Sequence, residues 1–209
     1  MNINIFFLIT LSFILSTCAG SSIVSIAGNA AISEKGVKSS IDDALIYTKI
    51  KTELLKLKIS NVTNISISVS QGRVLLVGTI KGNNERLAII KELWKIKGVK
   101  EIFNEIKIDE VYDITNKTKD LILESKVKTL LLLNFKIYSN NYSIEAYKGT
   151  IYVLGIAKDL EEREIIENYI KNISGVKKIV TFISFSPIII KTEDWYAGNL
   201  ISNGSYWEN

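Results

Sequence analysis

The sequence predicts an α+β protein of two tandem αββαβ domains, each a three-stranded sheet with two helices on one face. Three observations predict this fold class. Gly149 follows Gly72 by 77 residues, and Gly175 follows Gly98 by the same spacing, so one folding unit is written twice. Apolar residues alternate on either side of Gly72 and Gly149, as in two strands joined by a tight turn. Apolar residues with helical spacing precede and follow each of these hairpins.

The composition limits the chemistry that the chain can perform. Of its 209 residues, 47% are hydrophobic and 23% are charged, which is typical of a globular protein. The net charge of +4 comes from scattered lysines, so no nucleic-acid partner is expected. With no histidine and a single cysteine, Cys18, the chain offers no His-based triad, no His or Cys zinc site and no intrachain disulfide. No other catalytic or ligand pattern is visible, and we therefore expect a non-enzymatic protein without a cofactor.

Residues 1–17 are predicted to be a signal peptide. Residues 3–15 are almost entirely apolar, but they are too few to span a bilayer as a helix, which needs roughly 20 residues. The run ends in the letters LSTC at residues 15–18, which resemble a bacterial lipobox and imply cleavage before Cys18 and acylation of that cysteine. An ordinary cleaved signal or an uncleaved anchor is the alternative. Residues 18–41, which begin at the lipidated cysteine, are rich in Ala, Gly and Ser and are predicted to form a flexible tether.

Domain 1 is predicted to cover residues 42–110. Asp42 and Asp43 stand where acidic residues would cap a helix and oppose its dipole. The core-facing stripe of that helix consists of Ile46, Ile50 and Leu54. A hairpin with its turn at Gln71-Gly72 follows, and its first strand alternates apolar residues with serines as a half-buried strand does.

The second helix of domain 1 is expected to begin at an asparagine cap, Asn83 or Asn84, and to end at Gly98. Its predicted apolar stripe consists of Leu87, Ile90, Leu93, Trp94 and Ile96. Residues 99–108 form the third strand.

A linker of residues 111–118 leads to domain 2, residues 119–186, and residues 187–209 form a C-terminal tail. Asp159 and Glu162 have the spacing of a capping box at the second helix of this domain. The acidic residues around them are expected to form a solvated helical turn; they are Glu161, Glu162 and Glu164. The aromatic residues of the tail are expected to pack on domain 2, or to contact a membrane interface or a partner.

Six glycines have structural explanations that are independent of function. Gly72 and Gly149 suit positive φ in hairpin turns, and Gly98 and Gly175 suit the residue after a helix. Gly78 and Gly155 lie inside a strand and indicate a bulge or a close approach between helix and sheet.

The first helix of domain 2 carries the candidate binding face. Three positions beside its core stripe are Leu45, Glu53 and Lys56 in domain 1 and become Ile122, Leu130 and Leu133 in domain 2. One hypothesis is that these apolar side chains enter the headgroup region of a membrane while Lys126 and Lys128 meet anionic phosphates. The other is that the same face packs against domain 1 or against the aromatic tail. An exposed apolar stripe needs a partner of some kind.

Each repeat resembles a BON domain. The marks are the pattern Gly-x-Val-x-Leu-x-Gly at residues 72–78, its twin at residues 149–155, and the helix-to-strand junctions at Gly98-Val99 and Gly175-Val176. The whole layout is similar to the dual-BON-domain outer-membrane lipoproteins of Gram-negative bacteria, and Ala19 after the cysteine resembles their outer-membrane sorting pattern.

This resemblance implies a non-enzymatic protein, lipid-anchored at the periplasmic face of the outer membrane. It implies association with phospholipid membranes and a role in envelope integrity under osmotic stress. We therefore expect anionic phospholipid as the partner. The alternative partner is an outer-membrane protein assembly machine, which the chain would serve as an assembly or scaffolding factor.

Overall fold

The computed structural model describes residues 36–59, 62–108 and 112–185. The predicted signal peptide, Cys18, most of the tether and the whole C-terminal tail lie outside these residues. Domain 1 consists of helix α1 (Gly36–Lys56), strands β1 (Ile65–Ser70) and β2 (Arg73–Ile80), helix α2 (Asn83–Leu93) and strand β3 (Glu101–Ile108). Domain 2 consists of helix α3 (Ile114–Leu133), strands β4 (Tyr142–Tyr147) and β5 (Thr150–Ala157), helix α4 (Leu160–Lys171) and strand β6 (Lys178–Phe185).

The predicted αββαβ order is confirmed in both domains. Each sheet has its hairpin strands antiparallel, β1 with β2 and β4 with β5, while the third strand pairs parallel to the second. The middle strands β2 and β5 are therefore bonded on both sides. They are also the most deeply buried strands, because both of their faces are covered.

Both core stripes of the first helices face their sheets as predicted. Ile50 and Val127 are fully buried, and each lies at the centre of its domain's core. All residues of the two domain cores lie between Ile46 and Ile183, so residues 36–185 contain both cores.

The prediction that Asp42 and Asp43 cap the first helix is wrong. α1 begins no later than Gly36, and Asp43 lies two turns inside it, 7% exposed. Its carboxylate accepts hydrogen bonds from the N–H groups of Gln71 (2.7 Å) and Gly72 (2.8 Å). Asp43 therefore holds the hairpin turn against the helix, and an acidic residue inside a helix is explained by a distant backbone partner.

Asp120 makes the same connection in domain 2, where the first helix again begins earlier than predicted. α3 starts at Ile114, inside the predicted linker, and its N-cap is Asp113, whose side chain accepts from the N–H of Asn116. Asp120 accepts from the N–H groups of Lys148 (2.6 Å) and Gly149 (2.9 Å) and from the hydroxyl of Tyr112.

The second helices also depart from two predictions. α2 begins at Asn83 after Gly82, which gives no side-chain cap, so neither asparagine caps it. Its buried residues are Ile89 and Leu93, one turn apart, whereas Leu87 and Trp94 of the predicted stripe are more than half exposed. The predicted stripe is rotated around the helix axis relative to the buried face, because it includes Leu87 and Trp94, two apolar side chains that face solvent.

Glu162, predicted to be solvated, is buried at the start of α4. Asp159 caps this helix through the N–H of Glu162, as the capping-box spacing predicts. The Glu162 carboxylate in turn accepts from the N–H groups of Tyr138 and Lys158, both at 2.7 Å. It joins the start of the helix to the loop before β4, so its role is structural.

The two sheets pack face to face, with the helices of each domain on the outside. Alternate residues of the middle strands, Leu75 and Val77 of β2 with Tyr152 and Leu154 of β5, form a shared core between the sheets. Phe103 and Phe182 of the outer strands stack there, with ring centroids 4.1 Å apart. The result is a four-layer arrangement of helices, sheet, sheet and helices.

Serines of β1 form part of this contact between the sheets. Ser70 is fully buried, and the Ser68 hydroxyl donates to Glu145 of β4 at 2.6 Å. The small side chains let β1 approach β4 and β5 closely. The serine face of β1, which looks like a solvent face in the sequence, is an interface.

The two hairpin turns lie at opposite ends of this arrangement. Arg73 directly follows the turn of domain 1, and its guanidinium donates to the carbonyl of Gly155, near the far end of β5, at 2.7 Å. At the other end, Tyr147 beside the turn of domain 2 lies close to Asn64 and Gly78 of domain 1. The domains are thus arranged head to tail.

Candidate functional site

An open apolar groove runs between α3 and α4 on the outer face of domain 2. It encloses about 1050 Å³. Its apolar lining consists of Leu121, Ile122, Leu130, Tyr169 and Ile173. Small polar residues and Lys126 complete its walls.

The groove exists because α3 is apolar on two faces. Leu123, Val127 and Leu131 point into the core, while Ile122 and Leu130 lie on the neighbouring flank and are 52% and 37% exposed. Leu133 is on the same flank, nearer the end of the helix, and is 67% exposed. The hypothesis that this face packs against domain 1 is therefore wrong, since the domains meet through their sheets. Packing against the aromatic tail concerns residues outside the described ones.

The equivalent lining in domain 1 is less apolar. At the spacing of 77 residues, two of the five apolar lining positions carry a charge in domain 1, since Glu53 matches Leu130 and Glu92 matches Tyr169. Glu92 and Lys95 form an ion pair at 2.6 Å there. The groove lining of domain 2 is therefore more apolar than its equivalent in domain 1.

A lysine-lined depression adjoins the groove at the end where the hairpin turn lies. It encloses about 380 Å³, and Lys119, Lys126, Lys148 and Lys177 line it together with Ser174 and backbone of the turn. Ile122, Lys126 and Ser174 belong to both the groove and the depression. An apolar surface and a concentrated positive charge thus share one edge.

Local structure fixes two of these lysines. The methylene carbons of Lys177 lie across Gly149, only 3.1 Å from where a Cβ would stand, so the absence of a side chain there gives the lysine its path. Lys148 is held at positive φ in the turn, and its N–H donates to Asp120 beneath. The sequence does not predict that Lys148 and Lys177 lie beside Lys126, because they come from a turn and a junction that only the fold brings to α3, whereas Lys119 lies on α3 itself, seven residues before Lys126.

Lys128, predicted to accompany Lys126, does not lie at this site. It is six residues from Ile122, and at about 100° per residue six steps carry it to the other side of the core stripe. There it forms an ion pair with Glu124 at 2.5 Å. The structure therefore separates Lys128 from Ile122, Lys126, Leu130 and Leu133.

Glu145 is a partly buried carboxyl group near Lys128, at the interface between the sheets. Burial raises its pKa above the ordinary glutamate value, although the hydrogen bond from Ser68 acts in the opposite direction. It lies away from the groove and belongs to the domain contact.

The six predicted structural glycines occupy turns, junctions and strands as follows. Gly72, Gly98, Gly149 and Gly175 have positive φ, at the two hairpin turns and the two helix-to-strand junctions. Gly78 pairs with Ile65 in an unbroken register, so no bulge is present. A Cβ on Gly78 would stand 2.0 Å from the carbonyl oxygen of Asn64, so the close approach is to the 3-10 turn Val62–Asn64 that leads into β1 and not to α1 or α2.

Within the described ranges, no cluster of three or more His, Cys, Asp or Glu side chains is arranged to hold a metal ion. None of the helices in those ranges has both the length and the apolar character needed to cross a membrane.

These features define a class: a tandem αββαβ protein whose distinctive surface is an apolar groove edged by lysines. The BON domain model matches residues 42–110 and again residues 119–187, about two thirds of the chain. The chain therefore belongs to the BON-domain family and carries two copies of the domain.

Proteins with a similar sequence occur in several bacteria. A protein of the gshII 5′ region of Anaplasma centrale is 34% identical over 145 residues, which cover 68% of this chain and 94% of that protein. Outer membrane lipoprotein DolP of Haemophilus influenzae is 20% identical, covering 78% of this chain and 88% of its own length. Osmotically-inducible protein Y of Escherichia coli is 21% identical, covering 66% and 70%. These relatives support the class of a BON-domain envelope protein; the absence of an enzymatic activity stays a prediction.

Proposed function

We propose that this protein binds anionic phospholipid membrane surfaces through the groove of domain 2. The observation that carries the proposal is the shared edge of the groove and the lysine-lined depression. An anionic phospholipid has the same arrangement of parts, with apolar chains next to a negatively charged phosphate. Apolar side chains of the groove enter the boundary of the acyl region, while the lysines meet the phosphates above it.

The charge arrangement supports this orientation. Near an anionic surface each lysine contributes about 1 kcal/mol, so the four lysines of the depression contribute roughly 4 kcal/mol at low salt. This attraction is screened within about 8 Å at physiological ionic strength. Binding that depends on it weakens steeply as salt is added, whereas the apolar contribution of the groove does not.

The location we propose is the periplasmic face of the outer membrane. One relative is an outer membrane lipoprotein by name, and the LSTC run of this chain resembles the signal for acylation of Cys18. Acylation would hold the domains within reach of the bilayer, so that even a modest affinity of the groove keeps it occupied. Binding of this kind would support envelope integrity.

Co-sedimentation with liposomes tests the proposal. Residues 19–209 contain both cores and form the soluble chain for the assay. We expect binding to vesicles containing phosphatidylglycerol, weak binding to neutral phosphatidylcholine vesicles, and loss of binding at high salt. Ile122→Glu removes an apolar contact and places a negative charge at the surface, which costs about 2 kcal/mol, or roughly a 30-fold loss of partitioning.

Leu55→Glu is the matched control, because Leu55 lies on the first helix of domain 1, is 70% exposed and lines neither the groove nor a lysine-lined depression. It should leave binding nearly unchanged. Equal losses in the two variants would contradict a role of the domain 2 groove. Salt-tolerant capture of an outer-membrane assembly complex without vesicle binding would overturn the lipid proposal in favour of the scaffolding alternative.

A further inference from the structure

Domain 1 carries its own lysine-lined depression at the place equivalent to that of domain 2. It encloses about 700 Å³ where α1, the hairpin turn and the α2-to-β3 junction meet. Its lysines are Lys38, Lys49, Lys97 and Lys100. No acidic side chain of the described residues forms an ion pair with any of the four.

Both depressions are lined by four lysines, but not all of these lysines stand at equivalent positions in the two domains. Lys49 matches Lys126 and Lys100 matches Lys177 at the 77-residue spacing. The other lysines of domain 1, Lys38 and Lys97, match Thr115 and Ser174, while Lys119 and Lys148 of domain 2 match Asp42 and Gln71. Each depression is therefore lined by four lysines, although only two of these lysine positions are shared between the domains.

The details of one shared lysine are also repeated. The side chain of Lys100 crosses Gly72 as that of Lys177 crosses Gly149, with carbons 3.2 Å from the position of a Cβ. In both domains the acidic residue closest to the turn is already engaged, because the Asp43 carboxylate accepts from the turn amides as Asp120 does. The exposed Asp42 lowers the net charge in domain 1, and this predicts a weaker site there than in domain 2.

The two depressions face away from each other. The domains pack sheet against sheet, so their helical faces point in opposite directions, and the hairpin turns lie at opposite ends. A flat membrane that contacts the groove and depression of domain 2 leaves the depression of domain 1 pointing away from it. A single molecule can therefore meet two separate surfaces.

We propose that the depression of domain 1 is a second binding site for the phosphate of an anionic phospholipid, and that the protein bridges two anionic membrane surfaces. The inference rests on the proposed function of domain 2, which supplies the first attachment. The occupant is a headgroup and not an acyl chain, because Glu53 and Glu92 stand in domain 1 where Leu130 and Tyr169 line the groove of domain 2. Bridging follows from the opposed placement of the two sites.

Vesicle clustering tests the inference. Residues 19–209 are mixed with vesicles of phosphatidylglycerol and phosphatidylcholine, and the clustering is followed by turbidity and by energy transfer between two vesicle populations that carry different dyes. We expect clustering at low salt and none with phosphatidylcholine alone. The variant Lys49→Gln with Lys100→Gln should need about 30-fold more protein for half-maximal clustering while still sedimenting with vesicles.

The matched control, Lys51→Gln with Lys91→Gln, removes the same charge from exposed sites outside the depression and should cluster like the unaltered chain. Sedimentation without clustering would overturn the bridging inference and leave the proposed function intact. Clustering that survives the Lys49 and Lys100 changes would also overturn it, and would indicate bridging through pairs of molecules. Failure to sediment at all would instead overturn the proposed function.

Discussion

The hydrogen bonds from the hairpin turn to Asp43 determine how much stability the substitution Asp43→Asn should remove. Asp43→Asn keeps the size of the side chain but replaces one acceptor oxygen by an NH₂ group. The carboxylate accepts two backbone N–H groups at 2.7 and 2.8 Å, and hydrogen bonds to a charged group are worth about 1.5–3 kcal/mol each. The amide keeps one of the two bonds and turns a donor toward the second buried N–H.

We therefore expect Asp43→Asn to lower the free energy of unfolding by about 2–4 kcal/mol. Part of this bond energy offsets local strain, because Gln71 is held at a positive φ of 54°, which a residue with a Cβ rarely adopts. Urea unfolding followed by circular dichroism measures the change, and a midpoint lower by about 1–2 M is expected. The curve is first inspected for separate transitions of the two domains, since a single free energy applies only to a cooperative transition.

Asp42→Asn is the control, because Asp42 is adjacent in sequence and exposed. It should change the unfolding free energy by less than about 0.5 kcal/mol. Equal effects of the two substitutions would refute the assignment of Asp43 to the turn.

Three further predictions concern the strands and the domain contact. Gly78→Ala should cost about 3 kcal/mol or more because its Cβ would overlap the backbone of Asn64, whereas Gly82→Ala, with open space around it, should cost under about 1 kcal/mol in the same urea assay. Glu145→Gln should raise the melting temperature at pH 7. Burial raises the folded-state pKa of this carboxyl group, so its ionisation lowers the stability of the protein as pH rises. The difference in melting temperature between the glutamine variant and the unaltered chain should therefore shrink as pH falls toward 4.5. A difference in melting temperature that stays constant from pH 7 to 4.5 would contradict this explanation. Arg73→Ala removes two hydrogen bonds to carbonyls of the second sheet and should speed hydrogen exchange of amides between the sheets; unchanged exchange would show that this arginine does not hold the domains together.

The sequence predicts what is local in this fold. The hairpin turns are predicted because Gly72 and Gly149 lie between segments that alternate in character, and both signals come from neighbouring residues. The core stripes are predicted because Ile50 and Val127 lie among apolar residues at helical spacing. A comparison of the repeats further singles out Leu130, since this apolar residue stands in domain 2 where domain 1 has the charged Glu53.

Features that depend on distant parts of the chain are missed. Asp43 has the local pattern of a helix cap, but its partners lie 28 and 29 residues away. Ser68 and Ser70 look solvent-exposed because serine is polar, yet a second sheet covers them. No periodicity predicts that contact, since small residues suit an exposed strand and a close interface equally well.

Only part of the candidate site can be predicted from the sequence, because some of its residues are distant from one another along the chain. Ile122, Lys126 and Leu130 follow from one helix, whereas Lys148 and Lys177 come from a turn and a junction. Lys128 lies away from the site because residues two positions apart on a helix, such as Lys126 and Lys128, point about 200° apart.

The most direct test of the central claim is the depth of the groove at a vesicle surface. An environment-sensitive fluorophore is attached through Leu130→Cys and, for comparison, through Glu53→Cys at the equivalent position of domain 1, in a chain that begins after Cys18. With anionic vesicles, the account predicts a blue shift and rising intensity for the probe at position 130 and little change at position 53. No shift at position 130 while the protein sediments with the vesicles, or equal shifts at both positions, would contradict it.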